Sequence, residues 1–438
     1  MNIILLSGGS GKRLWPLSND IRSKQFIKLL KRDGIYESMI QRVYRQICSV
    51  VPEAKINIAA SKKQASMICS QIGDNVNICV EPSRKDTFPA IALACSYLHD
   101  VKGILSEEVV IVCPVDPYVE QGYFQALEEL ESLVAQSDDT NLTLMGVVPT
   151  YPSEKYGYII PKTDKAVSKV DAFKEKPDVK TAQAYIEKGA LWNSGVFAFK
   201  LSYILEKAHQ LIDFLDYEDL YEKYNTLEKI SFDYAVVEQE THIQVLRFCG
   251  TWKDLGTWNT LTEEISETAI GKAMYDEACS NTHIINELNI PILCMGLKDV
   301  IVSASADGIL VSNKGQSSHI KPFVDTIEQE IMFAEKSWGS YTVLDVQEES
   351  MTIRVVLNQG RRMNYHSHEY RDEVWTIISG AGKTIVDGME KSVRAGDVIA
   401  MHAGCRHTIM ADTELKLIEI QLGKEISVKD KQKYELDR

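Results

Sequence analysis

The chain lacks several features that would assign it to other classes of protein. No apolar run approaches about 20 residues, the length that a membrane-spanning helix needs. The nine cysteines form no CxxC pair, so neither a disulfide framework nor a thiolate zinc site is indicated, and buried, reduced cysteines are expected. The net charge of -14 disfavours nucleic acid or a membrane surface as a partner. The start, MNIILLSGG, has neither the basic residues nor the long apolar run of a signal peptide, so a cytoplasmic protein is expected.

The chain is long, and its sequence pattern changes from alternating strands and helices to mostly strands. At 438 residues it exceeds one ordinary domain. In the first part, amphipathic helical segments alternate with five apolar runs that indicate buried strands: NIILLS, INIAAS, VNICVEP, VVIVCPVD and LTLMGVVP. Continuous apolar strands separated by helices are typical of a parallel sheet covered on both faces. Residues 1–265 are therefore predicted to form an α/β domain.

After about Ile265 the pattern becomes rich in strand signals. Residues 266–332 contain short strands with turn residues and few helical signals, which indicates a small β-rich connector, similar to a few coils of a β-helix. From Phe333, short strands punctuated by glycine follow in quick succession, which is typical of an antiparallel barrel or jelly roll. Residues 333–438 are therefore predicted to form a β-barrel domain.

The glycine-rich stretch after the first strand is the first candidate site. Gly8, Gly9 and Gly11 follow NIILLS directly, at the strand end where α/β sheets bind ligands. Glycine lets backbone N–H groups approach phosphate oxygens closely. The charges of Arg13 and Lys24 suit a triphosphate and a departing pyrophosphate. The stretch is neither a Walker A motif nor GxGxxG, and a plain turn with solvated charges is the alternative.

The same stretch carries a family resemblance. GGSGKRLWPLSNDIRSKQF resembles the signature of sugar nucleotidylyltransferases, specifically of mannose-1-phosphate guanylyltransferases, with Ser23 where that family usually has proline. Further blocks resemble the family in the same order: EPSRKDTFPAIALAC, CPVDPYV, YGYI, FKEKPD, LWNSGVFAF, FDYAVVEQ and WKDLGTW. The resemblance implies that residues 1–265 are a Rossmann-like nucleotidyltransferase domain with a mixed, mostly parallel sheet.

The resemblance also implies a reaction, in which a sugar 1-phosphate attacks the α-phosphorus of a nucleoside triphosphate and expels pyrophosphate. Two anions must meet, so charge neutralisation and in-line positioning carry most of the catalysis. Asp116 and Asp254 are implied as ligands of one Mg2+, which favours sparse carboxylate ligation. Arg13 is implied to stabilise pyrophosphate, and Lys24 the reacting phosphates. The implied substrates are GTP and mannose 1-phosphate, with a heptose or fucose 1-phosphate as the alternative.

The remaining implied contacts divide between nucleotide and sugar. Base recognition is expected between the first loop and EPSRKD, and the implied nucleotide-binding residues are Gly8, Gly9, Gly11, Arg13, Lys24, Glu81 and Arg84. The implied sugar-phosphate-binding residues are Gly157, Glu175, Lys176 and Asn193. Taken singly, each has a structural alternative, such as a solvated ion pair for Glu175 and Lys176. Trp192 and Trp252 are interpreted as packing residues.

A second candidate site lies in the C-terminal part. Gly360 to Gly380 fits the first motif of cupins, G-x5-HxH-x4-E-x6-G, and GDVIAMHAGCRH supplies the second block. Alternation along a strand places the two histidines of HxH on one face. Three imidazoles and one carboxylate suit a divalent metal such as Zn2+, Fe2+, Mn2+ or Ni2+. The predicted ligands are His366, His368, Glu373 and His407. A cupin barrel that has lost its metal is the alternative.

A guanylyltransferase followed by a cupin resembles the layout of the bifunctional mannose-6-phosphate isomerase/mannose-1-phosphate guanylyltransferase (type II) family. The resemblance implies that the cupin interconverts mannose 6-phosphate and fructose 6-phosphate, with Arg371 as the catalytic candidate. The family block is similar to QxHHHRxEHW, and this chain departs from it: His366 replaces the glutamine, and Val374 replaces a histidine. The alternative is therefore a non-catalytic sensor or dimerisation module, and a homodimer stays open.

Overall fold

The chain folds into two compact units. The computed structural model describes residues 1–9, 12–137, 139–427 and 430–436. The first unit comprises Met1–Ser10, Ser23–Ala65 and Ile72–Ile265, and the second comprises Gly11–Arg22, Ser66–Gln71 and Ser266–Arg438. By its contacts, the segment that follows the first glycines therefore belongs to the second unit.

The first unit is built on a nine-stranded sheet and also contains two small two-stranded sheets. Its strands are Asn2–Leu6 (β1), Leu30–Arg32 (β2), Ile35–Glu37 (β3), Lys55–Ser61 (β4), Asn77–Glu81 (β5), Val109–Pro114 (β6), Pro117–Val119 (β7), Leu142–Val147 (β8), Tyr158–Pro161 (β9), Val167–Lys174 (β10), Leu191–Lys200 (β11), Ile243–Phe248 (β12) and Trp252–Asp254 (β13). The order in the large sheet is β5-β4-β1-β6-β11-β8-β12-β10-β9. Strands β10 and β11 run opposite to the others, so the sheet is mixed and mostly parallel, as predicted.

The helices of this part of the chain are Met39–Val50 (α1), Lys62–Ile72 (α2), Thr87–Ser96 (α3), Gln121–Ala135 (α4), Val179–Glu187 (α5), Leu201–Leu211 (α6), Tyr217–Lys223 (α7), Phe232–Ala235 (α8) and Trp258–Thr262 (α9). Helix α1 begins where Ser38 and Gln41 form a reciprocal capping box. Helix α3 is buried on all sides from Phe88 to Ser96, so it lies within the core. No helix among the described residues is long and apolar enough to cross a membrane.

The carboxyl ends of four parallel strands meet at one edge of the large sheet. The register pairs Leu6 of β1 with Ala59 of β4 and with Pro114 of β6, and pairs Ser61 with Glu81 of β5. Ligands of α/β sheets bind at this edge. The glycines after β1, the EPSRKD segment at the end of β5 and the aspartate after β6 are therefore brought together there.

The first part of the second unit is a stack of short strands. They are Ala269–Gly271 (β14), Ala273–Tyr275 (β15), His283–Asn286 (β16), Ile292–Cys294 (β17), Val300–Ser305 (β18) and Gly308–Asn313 (β19), followed by helix Lys321–Val324 (α10). Strands β14, β16 and β18 pair in parallel, as do β15 and β17, and this is the pairing expected of β-helix coils. Strand β19 pairs antiparallel with β18.

The segment that follows the first glycines packs on this stack. Lys12–Leu14 forms a short 3-10 helix. The guanidinium of Arg22 donates two hydrogen bonds of 2.8 Å to the carboxylate of Glu287, and Nδ2 of Asn19 donates to Oδ2 of Asp307 at 2.7 Å. Burial disfavours the charge of Arg22, but Glu287 outweighs it, so the pKa of Arg22 is raised. One ion pair and one amide–carboxylate hydrogen bond thus hold this segment on the stack.

The rest of the second unit consists of two antiparallel sheets around one core. The strands are Phe333–Lys336 (β20), Gly339–Val346 (β21), Ser350–Leu357 (β22), His366–Ser367 (β23), Asp372–Ser379 (β24), Ala381–Val386 (β25), Met389–Arg394 (β26), Val398–Met401 (β27), His407–Ala411 (β28), Leu415–Leu422 (β29) and Gln432–Lys433 (β30). One sheet has the order β20-β21-β22-β29-β24-β27, and the other β26-β25-β28-β23-β30. Trp375 and Leu417 of the first sheet and Ile409 of the second share the core. This is the antiparallel architecture predicted for a cupin.

All nine cysteines are free thiols. Cys79, Cys95, Cys113 and Cys294 are buried, as expected, whereas Cys48 and Cys249 are exposed. The expectation of burial is wrong for these two because Cys48 lies on the outer face of the amphipathic helix α1 and Cys249 follows the end of β12.

Candidate functional site

A cavity of 450 Å3 lies at the carboxyl ends of the parallel strands and is large enough for a nucleotide. It is lined by Leu6, Gly8, Gly9, Ala59, Ser61, Gln64, Glu81, Arg84, Asp86, Thr87, Ala90, Pro114, Asp116 and Lys229. Gly8, Gly9, Glu81 and Arg84 were predicted from the sequence to contact a nucleotide. Lys229 was missed, because it lies in a loop outside every motif block.

The glycine turn of this cavity is held by side chains that follow it in the chain. Gly9 has φ of 101°, a conformation that disfavours any side chain. The amide of Gln25 donates to the backbone oxygens of Ser7 and Gly8 at 3.1 and 3.3 Å. The hydroxyl of Ser23 donates to the backbone oxygen of Gly9 at 3.2 Å. Ser23, where the resembling family has proline, therefore fixes the turn by a hydrogen bond.

Lys24, Asp116 and Asp254 converge beside this cavity. Lys24 opens a short 3-10 helix, Asp116 follows β6, and Asp254 ends β13. Strand β13 pairs with β7 so that Asp254 lies opposite Pro117, next to Asp116. Nζ of Lys24 is 2.7 Å from Oδ2 of Asp116 and 3.4 Å from Oδ1 of Asp254. The structure thus brings together three residues that the resemblance implied for phosphate chemistry.

The charges in this cluster stabilise one another. Burial disfavours the ammonium of Lys24, but the two aspartates outweigh it and raise its pKa. Burial also disfavours the carboxylate of Asp116, but Lys24 outweighs it and lowers the pKa of Asp116. Lys24 and Asp116 are therefore charged at neutral pH. Two carboxylates that converge on one cation fit a divalent metal whose other ligands are phosphate oxygens.

A second cavity of 220 Å3 shares Pro114 and Asp116 with the first. Its lining is Pro114, Asp116, Pro117, Lys155, Tyr156, Gly157, Glu175, Asn193, Ser194, Gly195, Asp233, Trp252 and Asp254. Gly157, Glu175 and Asn193 were predicted to contact a sugar phosphate. Lys176 does not line this cavity, because its ammonium is bonded to the carboxylate of Glu175.

Asp233 and Lys155 belong to this cavity and were not selected from the sequence. Nδ2 of Asn193 donates to Oδ1 of Asp233 at 2.7 Å, and Oδ1 of Asn193 accepts from the backbone N–H of Gly195 at 3.1 Å. Burial, followed by the charge of Glu175, raises the pKa of Asp233 to about 7. The FDYAVVEQ block contained the signal, since it places this acid in an ordered motif. Lys155 is exposed at the cavity wall.

Aromatic residues pack together beside this cavity, and two of them, Tyr156 and Trp252, line it. The ring of Trp192 lies 4.8 Å from that of Tyr156 and 6.1 Å from that of Trp252. Trp192 is 3% exposed, so the packing interpretation holds for it. Trp252 packs in the same cluster but also lines the cavity, which the sequence analysis missed.

Two residues that were predicted to bind the nucleotide, Gly11 and Arg13, are not part of the cavity described above. Gly11 lies outside the described residues. Arg13 is exposed in the short helix Lys12–Leu14, which belongs to the second unit. Its contact with pyrophosphate stays a prediction.

The second candidate site lies inside the antiparallel barrel. His366 in β23 pairs with His407 in β28, and Glu373 lies in β24. The ligand atoms of His366, His368, Glu373 and His407 all lie within 4.8 Å of one another, and all four residues are buried. The structure therefore brings together the full set of predicted metal ligands.

Backbone carbonyls fix the orientation of the three histidines. Each Nδ1 faces a backbone oxygen: that of Asn364 for His366 at 2.7 Å, of Asp430 for His368 at 2.8 Å, and of Cys405 for His407 at 3.0 Å. Each Nδ1 therefore carries the proton, and each Nε2 keeps a lone pair. This is the arrangement by which histidines hold a metal.

The donor set fits a divalent metal, with one competing contact. Nε2 of His407 is buried and has no hydrogen-bond partner in the described part of the chain, although Oε2 of Glu373 lies 3.2 Å away. Nε2 of His368 faces Nη2 of Arg371 at 3.1 Å, and Nε of Arg371 donates to Oε1 of Glu373 at 3.1 Å. Arg371 must release Nε2 of His368 before a metal can bind all four residues, whereas Glu373 can bind through Oε2, which Arg371 does not contact.

Comparisons with known proteins match both parts of the chain. Residues 2–270 match the nucleotidyl transferase family, and residues 326–435 match the mannose-6-phosphate isomerase C-terminal family. The mannose-1-phosphate guanylyltransferase of Escherichia coli (strain K12) is 26% identical over 96% of this chain and 95% of its own length. The xanthan biosynthesis protein XanB of Xanthomonas campestris pv. campestris (strain B100) is 28% identical over 99% of this chain and 97% of its own length. A crystal structure described as mannose-1-phosphate geranyltransferase from Thermus thermophilus is 26% identical with a TM-score of 0.62, and covers 74% of this chain and 98% of that one.

The first family match spans more than half of the chain, and the two curated relatives extend over nearly all of it. The resemblance drawn from GGSGKRLWPLS and the later blocks is confirmed, and so is the order of a nucleotidyltransferase followed by a cupin-like domain. The chain belongs to the nucleotidyl transferase family and carries a mannose-6-phosphate isomerase C-terminal domain.

Proposed function

We propose that the chain forms GDP-mannose and pyrophosphate from GTP and α-D-mannose 1-phosphate, in a Mg2+-dependent reaction in the cytoplasm. The observation that carries the proposal is the cluster of Lys24, Asp116 and Asp254, with Asp116 lining both cavities. A nucleotide in the larger cavity and a sugar phosphate in the smaller one would meet at this carboxylate. The name of the Escherichia coli relative supports the same reaction.

The reaction depends on neutralising the negative charge of the phosphates rather than on proton transfer. An oxygen of mannose 1-phosphate attacks the α-phosphorus of GTP, and the bond from that phosphorus to the bridging oxygen of pyrophosphate breaks. The attacking phosphate is already an anion, so no general base is required. Mg2+ held by Asp116 and Asp254 supplies neutralisation of phosphate charge. Lys24 holds a further positive charge beside the reacting phosphates, where negative charge develops. Arg13 keeps its implied role of stabilising the departing pyrophosphate.

The smaller cavity is proposed to select the sugar. Glu175 and Asp233 offer carboxyl oxygens to sugar hydroxyls, and Asn193 is held in one orientation between Asp233 and Gly195. Lys155 lines this cavity, and Lys176 lies next to it, bonded to the lining residue Glu175. The positive charges of both lysines suit the phosphate of mannose 1-phosphate. Mannose is favoured over a heptose or fucose because the curated relative from Escherichia coli is named for mannose 1-phosphate.

Replacing Gly157 with alanine tests this placement of the sugar. A Cβ there would lie 2.6 Å from Oε2 of Glu175 and 2.8 Å from the ring of Phe173, so the carboxylate must move. We expect the KM for mannose 1-phosphate to rise about 10- to 100-fold, with the KM for GTP little changed, in steady-state kinetics with each substrate varied in turn. The control is Gly122→Ala, whose Cβ meets no atom closer than 3.7 Å. Equal effects of the two substitutions would contradict the placement.

The C-terminal barrel is proposed to bind a divalent metal, with Zn2+, Fe2+, Mn2+ and Ni2+ as candidates, and to isomerise mannose 6-phosphate and fructose 6-phosphate. The four converging ligands and the family match of residues 326–435 favour this second activity over a sensor or dimerisation module. Such a metal supplies polarisation of the substrate carbonyl and its adjacent hydroxyl. Arg371 is the catalytic candidate implied by the family resemblance, and its guanidinium lies beside two of the four ligands.

Pyrophosphate release tests the first activity directly. The full chain is assayed with Mg2+ and mannose 1-phosphate, and with GTP, ATP, CTP or UTP in turn. Release with GTP and little with the others is expected. Release with a different nucleotide would keep the fold and overturn the assignment of guanine, while no release with any of the four would overturn the proposed reaction.

A further inference from the structure

One aspartate contacts His368 and the two residues that follow it. The backbone oxygen of Asp430 accepts a hydrogen bond of 2.8 Å from Nδ1 of His368. Its carboxylate accepts from the backbone N–H groups of Glu369 and Tyr370, through Oδ1 at 2.8 Å and through Oδ2 at 3.1 Å. Three acceptor oxygens of one residue therefore hold three consecutive residues, and the first of these is a predicted metal ligand.

The other two histidines of the site do not depend on a distant residue in this way. His366 opens β23 and His407 opens β28, and these two strands pair with each other. Each Nδ1 faces the backbone oxygen of the residue two positions earlier, which is Asn364 for His366 and Cys405 for His407. Strand pairing and the neighbouring chain thus fix both rings.

His368 lacks this local support for its ring. Strand β23 ends at Ser367, so His368 lies beyond it, and β24 begins only at Asp372. The backbone oxygen of His368 accepts from the N–H of Gly404 at 2.6 Å, but the ring faces a residue 62 positions further along the chain. Hydrogen bonds from N–H groups to a carboxylate are stronger than those between neutral groups. The carboxylate of Asp430 therefore fixes the path of the chain just after His368.

Asp430 is in turn anchored to the barrel by the residues that follow it. Gln432–Lys433, which forms β30, pairs antiparallel with His366–Ser367 of β23. The N–H of Tyr434 donates to the backbone oxygen of Tyr365 at 2.9 Å. These contacts fix the position of Asp430 relative to β23, the strand that leads into His368.

The two nitrogens of His368 have different partners. Nδ1 carries the proton that is donated to Asp430, and Nε2 accepts from Nη2 of Arg371 at 3.1 Å, so Nε2 holds the lone pair that a metal needs. A fixed acceptor for Nδ1–H sets the tautomer and the orientation of a metal-binding histidine and raises the basicity of its other nitrogen. Asp430 supplies that acceptor.

We propose that Asp430 is a positioning residue for the metal of the barrel: its backbone oxygen and its carboxylate together hold His368 so that Nε2 faces the other three ligands. The proposal rests on the proposed metal site and adds to it a residue outside the four ligands. The sequence analysis gave Asp430 no role, because neither cupin block contains it and 62 positions separate it from His368.

The affinity for Zn2+ tests this role without any substrate. Zn2+ is chosen because it binds nitrogen and carboxylate ligands more tightly than Mn2+ or Fe2+. The metal-free full chain is titrated with Zn2+ in competition with a chromophoric chelator. Asp430→Ala removes both carboxylate acceptors and is expected to weaken Zn2+ binding by about 10- to 100-fold. Asp430→Asn keeps one acceptor oxygen, so a smaller loss is expected.

A matched aspartate of the same barrel is the control. Asp397 lies between β26 and β27, and its Oδ2 accepts from the backbone N–H of Arg394 at 2.9 Å. Asp397→Ala therefore also removes a carboxylate that holds a backbone N–H group, but one that does not adjoin a ligand. Its affinity for Zn2+ should equal that of the unaltered chain.

A double variant separates the positioning of His368 from a general loss of stability. If Asp430 acts through His368, Asp430→Ala should weaken Zn2+ binding little further in a chain that already carries His368→Ala. A merely structural role would weaken binding by the same factor with and without His368. The melting temperature of each metal-free chain shows whether the variant is folded. If Asp430→Ala does not fold, Asp430→Asn takes its place in both comparisons.

The outcomes separate this inference from the proposed metal site. No binding of Zn2+ by the unaltered chain overturns both. Binding by the unaltered chain, with the same affinity in Asp430→Ala and Asp430→Asn, overturns the inference alone. An equal loss of affinity with and without His368 overturns it as well, because Asp430 would then not act through that ligand.

Discussion

Replacing Lys24 with methionine is expected to lower kcat for pyrophosphate release by about 100- to 1,000-fold. Methionine keeps much of the length and apolar stem of lysine but removes the charge that lies between Asp116 and Asp254. The reacting phosphates then lose a fixed positive charge in the transition state. The Mg2+ concentration for half-maximal activity should not rise, because the two carboxylates lose a competing cation. Steady-state kinetics over a Mg2+ titration measures both quantities.

A matched substitution elsewhere controls for the loss of a lysine. Lys200→Met removes an ammonium whose ion-pair partner among the described residues is the exposed carboxylate of Glu107, at 3.3 Å. Surface pairs of this kind contribute little, so activity should stay close to that of the unaltered chain. A fall of less than about 5-fold for Lys24→Met would contradict the role given to this ammonium.

Replacing Glu373 with glutamine is expected to remove the metal from the C-terminal barrel. The carboxylate is the one anionic ligand of the set and also contacts Arg371 and His407. Without it, the metal content of the purified full chain should fall from about one ion to near none, as measured by plasma mass spectrometry. Isomerisation of mannose 6-phosphate should be lost with the metal, while pyrophosphate release should persist.

The contrast variant for this site is His366→Gln. Glutamine is what the resembling family has at that position, and it offers a neutral oxygen ligand, so the metal should be retained. Retention of metal by Glu373→Gln, or its loss from both variants together with a lowered melting temperature, would contradict the assigned ligand set. Metal binding without isomerisation by the unaltered chain would favour the sensor interpretation.

Much of the fold follows from local signals. The five apolar runs form β1, β4, β5, β6 and β8 because each is bounded by turn residues and alternates with an amphipathic helix. The glycines after the first run are the turn residues that end β1. The cupin ligands were predictable because a strand period and two framing glycines fix their spacing.

The rest of the site depends on contacts between distant segments, which no local pattern encodes. Asp254 reaches Asp116 only because β13 pairs with β7. Tyr224 reaches Glu81 from a short helix that no motif marks. Asp233 reaches Asn193 in the smaller cavity. The contact of Arg371 with two metal ligands is likewise a side-chain arrangement that spacing does not determine.

One departure from the resembling family is explained by contacts that only the structure shows. Ser23 stands where proline is usual, yet its hydroxyl binds the backbone of Gly9 and is itself contacted by Nε2 of Gln64 at 2.9 Å. A proline would fix the backbone through its ring, whereas the serine fixes the turn through two hydrogen bonds.

The most direct test of the account follows the atoms of the sugar phosphate. The full chain is incubated with Mg2+, GTP and mannose 1-phosphate labelled with 18O in its phosphate oxygens, and both products are analysed by mass spectrometry. Attack on the α-phosphorus by the sugar phosphate predicts GDP-mannose that retains all of the label and pyrophosphate that contains none. Labelled pyrophosphate, or the absence of a labelled sugar nucleotide, would contradict the proposal that the cluster of Lys24, Asp116 and Asp254 carries out this transfer.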